Sequence, residues 1–458
     1  MLKGLSRFIQ NRGRQLRQIM GRQTILLEPV CIPRAEHPLS RSEISDSALK
    51  VLYRLHKSGY AAYLVGGGVR DRLLGKLPKD FDVATNATPE QVRSLFRNAR
   101  IIGRRFRIVH VRFGREVIEV TTFRGQAESD QSPHHEQSEA GLLLRDNVWG
   151  SIEEDALRRD FTINALYYNI ADFAIYDFAG GMADIAARTL RIIGDPETRY
   201  REDPVRMLRA IRFAAKLDFT LSTETAAPIY EQAPLLLQIP PARLFDEVLK
   251  LFMAGHAVDT LHLLREYRLF GMMFPMTEEA FGHDPHALAV LEQALTNTDH
   301  RIREERPVTP AFLYAALLWP ALKAIQADLV AEGMPPIPAL QQAGNQLMHR
   351  QNQHVMIPKR FAFPMREIWD MQLRLEKRHG KRAFQLLHEP RLRAGYDFLL
   401  QREKAGEPTE GLAQWWTQFQ EASESDRHRM IEALGQPAAS GPRRRRRKPR
   451  KRKPNADQ

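Results

Sequence analysis

Asp80 and Asp82 flank Phe81 in the segment KDFDVAT. On a strand, residues i and i+2 share a face, so the two carboxylates project side by side while Phe81 turns into the core. Adjacent carboxylates repel unless a cation lies between them. Such an oxygen-rich pair suits Mg²⁺, which takes carboxylates together with substrate phosphates. An isolated D-x-D is more often a solvated turn, but the preceding residues argue otherwise here. Gly66-Gly67-Gly68 ends the apolar run AYLV and opens the helical segment VRDRLLG, which Gly75 stops. Glycines at such a junction let backbone N–H groups approach an anion, and a helix N-terminus favours phosphate. Arg70, just inside that helix, is placed to reach a triphosphate. The run is not G-x-G-x-x-G, because Asp71 takes the third glycine's place, and no G-K-S/T follows it. A dinucleotide fold and a P-loop ATPase are therefore disfavoured.

Glu119 lies in the strand-like VIEVTTFR, on one face with Val117 and Thr121. If this strand neighbours the first, three carboxylates converge; otherwise Glu119 is an exposed edge residue. Asp160 and Asn164 in the segment Arg158-Arg159-Asp160-Phe161-Thr162-Ile163-Asn164 are spaced i,i+4 and face one way on a helix. A carboxylate beside an amide suits ribose hydroxyls, although a helix cap with a surface pair fits the same residues. In Arg201-Glu202-Asp203-Pro204-Val205-Arg206, Pro204 suits the first helical position and Asp203 the N-cap. Arg206, Arg209, Arg212 and Lys216 then form a basic stripe opposite Leu208, Ile211 and Ala215, either a solvated face or a groove for RNA or triphosphate. His134 and His135 read as solvated loop residues rather than metal ligands.

The elements that must position these groups form a mixed α/β unit over 44–176, with an amphipathic helix over 46–58 and strands at KDFDVAT, IVHVRF and VIEVTTFR. The polar stretch 125–148 lacks periodicity and reads as a mobile loop. From Ile152 the pattern is mostly helical, beginning with EEDALRRDFTINALYY and interrupted by a strand-like stretch from FAIYDFAGG to TLRIIG. The expected class is α+β: a small mixed-sheet head, an all-helical neck and body, and a disordered basic tail. The expected boundaries are a basic extension at 1–43, a head at 44–190, a neck at 191–270, a body at 271–432 and a tail at 433–458.

Four segments in this order, LVGGGVRDRLLGKLPKDFDV, IEVTTFR, RRDFTINAL and REDPVRMLRAIRFAAKL, resemble the class II nucleotidyltransferases, the group of tRNA CCA-adding enzymes and bacterial poly(A) polymerases. The closer resemblance is to the bacterial poly(A) polymerases. It extends through IPPARLFDEVLKL and IPKRFAFPMREIWDMQLRLEKRHGKRAF to the basic tail. It implies that Asp80 and Asp82 are the metal-binding pair and that Glu119 is a further carboxylate. It implies triphosphate contacts from Gly66, Gly67 and Arg70, and nucleotide contacts from Arg159 and Asn164. Asp160 counts among the active-site residues, and Asp203 with Arg206 reads the incoming base. One departure stands out. The family often has Glu-Arg where this chain has Ala242-Arg243, and Glu247, four residues on, is placed to pair with Arg243.

The implied reaction is template-independent, Mg²⁺-dependent addition of AMP from ATP to RNA 3′ ends, making tails that promote RNA decay alongside nucleases and an RNA chaperone. The alternative is CCA addition. Adenine and cytosine both show an amino donor beside a ring-nitrogen acceptor, so Asp203 and Arg206 alone do not separate the two.

Charge sharpens the choice. The 458 residues carry a net charge of +13. Six cations and no acid lie in residues 1–22, and ten of the eleven positions 443–453 are cations, broken only by Pro449. Residues 23–442 sum to −2. Clustered terminal cations seek polyanions. Arg209, Arg212, Arg443, Arg444, Arg445, Arg446, Arg447 and Lys448 are the expected RNA contacts, gripping backbone without sequence choice. Cys31 is the single cysteine, which excludes a disulfide framework and a cysteine-held zinc and suggests a reducing cytosol. No continuous run of about 18 apolar residues is present, so no stable membrane insertion is expected. Leu2, Leu5, Ile9, Leu16 and Met20 form a rough stripe that suits either a membrane-surface helix or, the preferred reading, a plain basic extension. A monomer is expected.

Overall fold

The computed structural model of the chain describes residues 28–103, 107–125, 135–137, 143–146 and 148–435. The expected contacts at 443–448, the N-terminal stripe and His134 lie outside these residues.

One mixed sheet carries the acidic residues. Its strands are β1 (Val30–Ile32), β2 (Ala62–Val65), β3 (Asp82–Thr85), β4 (Ala99–Ile102), β5 (Ile108–Phe113) and β6 (Glu116–Thr122). A separate antiparallel pair, β7 (His135–Gln137) and β8 (Leu143–Asp146), follows, and then β9 (Leu166–Asn169) and β10 (Ile175–Asp177) return to the main sheet. The spatial order is β1-β10-β9-β2-β3-β6-β5-β4. Every neighbouring pair is antiparallel except β3 and β6, which run parallel.

Both faces of the sheet are covered, so its central strands read as apolar runs rather than clean alternations. Leu64, Val83, Val109, Val111, Ile118 and Val120 pack on one face against Val51, Leu52 and Leu55 of helix Asp46–Lys57. The Ser45 hydroxyl caps that helix by accepting from the Ala48 N–H at 3.2 Å. Val65, Ala84, Phe123, Tyr167 and Phe178 fill the other face with Ala156 of helix Ile152–Arg158.

Three sequence expectations change here. LYY, read as helical, is β9; a short, fully buried apolar run does not distinguish a helix from a central strand. Residues 30–32, read as part of a basic extension, pair with β10 and belong to the sheet; three residues are too few to show a period. The stretch 125–148, read as a loop, contains β7 and β8, with His135 in β7.

The described chain divides into two compact units: residues 28–283, 295–308 and 346–357, and residues 284–294, 309–345 and 358–435. The first continues from the sheet into helices Pro196–Glu202, Val205–Leu217, Thr223–Gln232, Pro241–Phe252 and Ala257–Glu266. The second is helical, with a core around Met371, Leu375, Leu399, Trp416 and Phe419. Its helix Pro310–Ala331 is, among the described residues, the one helix long and apolar enough to cross a membrane. Lys323 interrupts its sequence, which hides it from a search for continuous apolar runs. The most apolar window of this helix is 61% buried within the protein, as befits a core helix.

Candidate active site

Parallel pairing of β3 with β6 sets Asp82 directly opposite Glu119. On its other side β6 pairs with β5, which brings His110 Nε2 to 3.2 Å from Glu119 Oε1. Asp80 is exposed just before β3, and Phe81 is buried between the two aspartates, as the alternation requires. Burial, then Glu119, and in smaller measure Asp80, push the Asp82 carboxyl up to about 6, against the opposing pull of Arg159. The site therefore crowds negative charge.

The glycine turn faces this charge. Gly66 has φ 71° and ψ −132°, a conformation open to glycine but strained for other residues. A Cβ there would lie 3.7 Å from Arg159 Nη1 and 3.9 Å from Asp82 Oδ2. Gly68 has a different reason: a Cβ would meet the Phe81 ring at 3.3 Å, so it lets the helix close on the strand.

Arg159 is held by groups the sequence reading missed. Its Nη2 donates to Asp155 Oδ2 at 3.0 Å and its Nε to the Tyr167 hydroxyl at 2.7 Å, while that hydroxyl donates to Asp155 at 2.6 Å. The Asp155–Arg159 spacing of i,i+4 was the available signal. Tyr167 arrives from β9 and carries no local signal.

Asp160 and Asn164 do meet, but not on a helix. Helix Ile152–Arg158 ends before Asp160, and a 3₁₀ turn over Thr162–Asn164 swings the Asn164 amide back to donate to Asp160 Oδ1 at 3.0 Å. The Phe161 N–H donates to the same oxygen at 2.8 Å, and Arg209 grips Oδ2 through both Nε, at 2.9 Å, and Nη2. Burial alone would raise the Asp160 carboxyl. Arg209, Asn164 and the Phe161 N–H instead hold it well below the usual carboxylate range. Arg70, 3% exposed, donates to Asn164 Oδ1 at 2.6 Å and to Asp71 at 2.8 Å, and lies 5.0 Å over the Phe213 ring. The network thus ties the glycine-turn helix to helix Val205–Leu217.

That helix changes the remaining expectations. Asp203 is not its side-chain cap; Pro204 takes the N-cap place without a side-chain bond. The Asp203 carboxylate instead accepts from Arg243 Nη2 at 3.0 and 3.1 Å. Arg243 therefore pairs with Asp203 rather than with Glu247, whose own partner is Lys250 at 2.8 Å. Arg206 donates to Glu202 at 2.8 Å and to the Arg199 carbonyl at 2.7 Å. The expected basic stripe is internally partnered: Arg209 on Asp160, Arg212 5.0 Å over Phe213, and Lys216 3.9 Å from Asp71. Arg159, Asp160, Asp203, Arg206, Arg209 and Arg243, with Val205 and Glu247, line an open cleft of about 310 Å³.

Residues 62–191 match the poly A polymerase head domain, and residues 218–281 match a segment described as "Probable RNA and SrmB-binding site of polymerase A". Residues 332–452 match the polymerase A arginine-rich C-terminus. The chain is 52% identical over 433 residues to poly(A) polymerase I of Salmonella typhi, covering 93% of each. To poly(A) polymerase I of Haemophilus influenzae it is 46% identical over 416 residues, 90% of this chain and 92% of the relative. The chain belongs to the poly(A) polymerase I family. The CCA-adding enzyme of Bacillus subtilis is 40% identical, but over 223 residues, 49% of this chain and 54% of that enzyme. The fold is shared more widely. A Bacillus stearothermophilus CCA-adding enzyme in complex with CTP aligns over 86% of this chain and 88% of its own, with a TM-score of 0.54 and 27% identity. Sequence likeness to poly(A) polymerase I thus runs nearly the full length, whereas likeness to the CCA-adding enzyme covers about half.

Proposed function

We propose that the protein adds AMP from ATP to RNA 3′ ends without a template, using Asp80, Asp82 and Glu119 as its acidic centre. The observation that carries the site assignment is the pairing of Asp82 with Glu119 beside the Gly66 turn. The whole-length similarity carries the choice of poly(A) over CCA addition.

The donor set fits Mg²⁺. Among the described residues no three His, Cys, Asp or Glu side chains converge closely enough to cage an ion by themselves. Crowded carboxylates that need further oxygens suit a cation whose remaining ligands come from substrate phosphates and water. Asp80 and Asp82 would hold it, and when bound it supplies neutralisation of charge on the attacking and leaving oxygens.

The RNA 3′-oxygen attacks the α-phosphorus in line, the bond to pyrophosphate breaks, and the hydroxyl proton is released. The chain's own groups position these atoms. The Gly66 and Gly67 backbone and the nearby Arg159 face the triphosphate. Asn164, fixed by Asp160 and Arg70, meets the ribose. Asp203 accepts from the adenine amino group while Arg206 donates to the ring nitrogen. Arg243 and Glu202 hold that acceptor and that donor apart instead of letting them pair with each other. Pyrophosphate release is the direct readout: it is expected only with RNA, ATP and Mg²⁺ together, in step with AMP incorporation. RNA binding without release would mark a non-catalytic binding protein.

The arginine-rich segment 443–453 supplies a translocatable grip on RNA backbone. Deleting 443–458 is expected to weaken RNA binding and flatten its dependence on log[salt], because fewer counterions are released per bound strand. An unchanged slope in a binding titration would remove the tail from the RNA contact. The tails made in this way promote RNA decay, and the nucleases and RNA chaperone implied by the resemblance are the partners to seek by co-purification.

A further inference from the structure

We propose that Lys377, Lys381 and Arg382 form a fixed phosphate-binding station for single-stranded RNA, outside the active site and separate from the arginine-rich tail. It rests on RNA being the substrate, as proposed above.

The segment Lys377-Arg378-His379-Gly380-Lys381-Arg382 joins helix Lys359–Leu375 to helix Lys381–Leu386. Residues 377–388 contain no acid; of the two acids that flank them, Glu389 pairs with Arg374 and Glu376 lies within electrostatic reach of Arg402 and Lys377. Lys377, Lys381 and Arg382 are exposed, and none of the three makes an ion pair among the described residues. The turn itself is built. Gly380 adopts φ 60°, and the Arg378 guanidinium lies 5.4 Å over the Trp415 ring, which stacks on Phe419 at 4.6 Å. The backbone is thereby held against the core while the three cations face solvent.

The place of this turn in the second unit adds a second argument. Phe384, in the helix that follows, packs on His428 at 4.8 Å, and Met430 and Ile431 join the same core. These residues belong to helix Glu424–Ala433, and Arg443 follows Gly435 by eight residues, at most about 30 Å of extended chain. Exposed cations of this kind recognise a polyanion, and the polyanion this family extends is RNA. A membrane is the weaker match, because none of the exposed large apolar side chains lies in 377–388. Surface electrostatics alone hold a protein on lipid only weakly, without apolar insertion or a lipid anchor.

The test uses the full chain and a labelled single-stranded oligo(A), with anisotropy titrations across a salt series. The triple variant K377A/K381A/R382A is expected to raise the dissociation constant about tenfold at about 0.1 M salt and to reduce the log–log salt slope by about 2. The charge-keeping variant K377R/K381R/R382K is expected to retain the wild-type slope. A triple alanine variant with the wild-type slope and affinity overturns the proposal. So does a variant that loses only its binding to phosphatidylserine vesicles, which assigns the cations to a lipid surface. Failure of the wild-type chain to incorporate AMP would sink the proposed function while leaving this binding measurement intact.

Discussion

Asp82→Asn is expected to cut AMP incorporation roughly a thousand-fold or more while making the fold more stable at neutral pH. The two effects share one cause. The Asp82 carboxyl, raised to about 6 by burial, Glu119 and Asp80, is ionised at pH 7.5 at the expense of folding. An acid whose folded pKa lies above its unfolded value of 3.8 adds stability below that value, and the stability is lost as pH rises through about 6. Removing the charge is therefore expected to gain on the order of 2–3 kcal/mol at pH 7.5 and nothing near pH 3.5. Urea unfolding at the two pH values, beside an incorporation assay, reads both. A variant that is inactive because it is unfolded, or one that keeps near-normal incorporation, would contradict the assignment of Asp82 to the acidic centre.

Asp160→Ala has the opposite sign. It leaves the Arg209 guanidinium, half-buried in the cleft wall, without its carboxylate and frees Asn164, which also holds Arg70. Removing the acceptor of a charge-assisted pair whose cation still reaches water costs about 1–3 kcal/mol. The loss should appear in urea unfolding at pH 7 and shrink in acid. The depressed Asp160 carboxyl supports the wild type above the unfolded value of 3.8, and that support is lost as pH falls below it. AMP incorporation should fall with it, since the residue that meets the ribose loses its anchor. Unchanged unfolding at pH 7 would mean that the Asp160–Arg209 contact is not structural.

The burial of Phe81 between Asp80 and Asp82 was legible because alternation is local, although the strand itself begins only at Asp82. That Glu119 stands opposite Asp82 is a register between strands 37 residues apart, conditional in the sequence and decided by the parallel pairing of β3 with β6. Asp160 and Asn164 were rightly paired for a wrong reason, since a 3₁₀ turn brings them together as a helix would have. The partner of Arg243 was misjudged because Glu247 is near in sequence and Asp203 near in space. Tyr167 and β9 were hidden because a strand buried on both faces has no period to read.

Composition suggested a generic polyanion binder through its two basic termini, which lie outside the described residues. The described cations around the cleft are tied to carboxylates and carbonyls, where they fix geometry. Lys377, Lys381 and Arg382 are exposed around the Gly380 turn.

The central claim is template-independent choice of AMP, and the products of one reaction test it most directly. The full chain is incubated with a generic single-stranded RNA, Mg²⁺ and either ATP or CTP, and the lengths of the products are measured. A continuous ladder of added residues is expected with ATP, and little addition with CTP. Extension of generic RNA with CTP as readily as with ATP, or addition that occurs only on tRNA and stops after three residues, would contradict it.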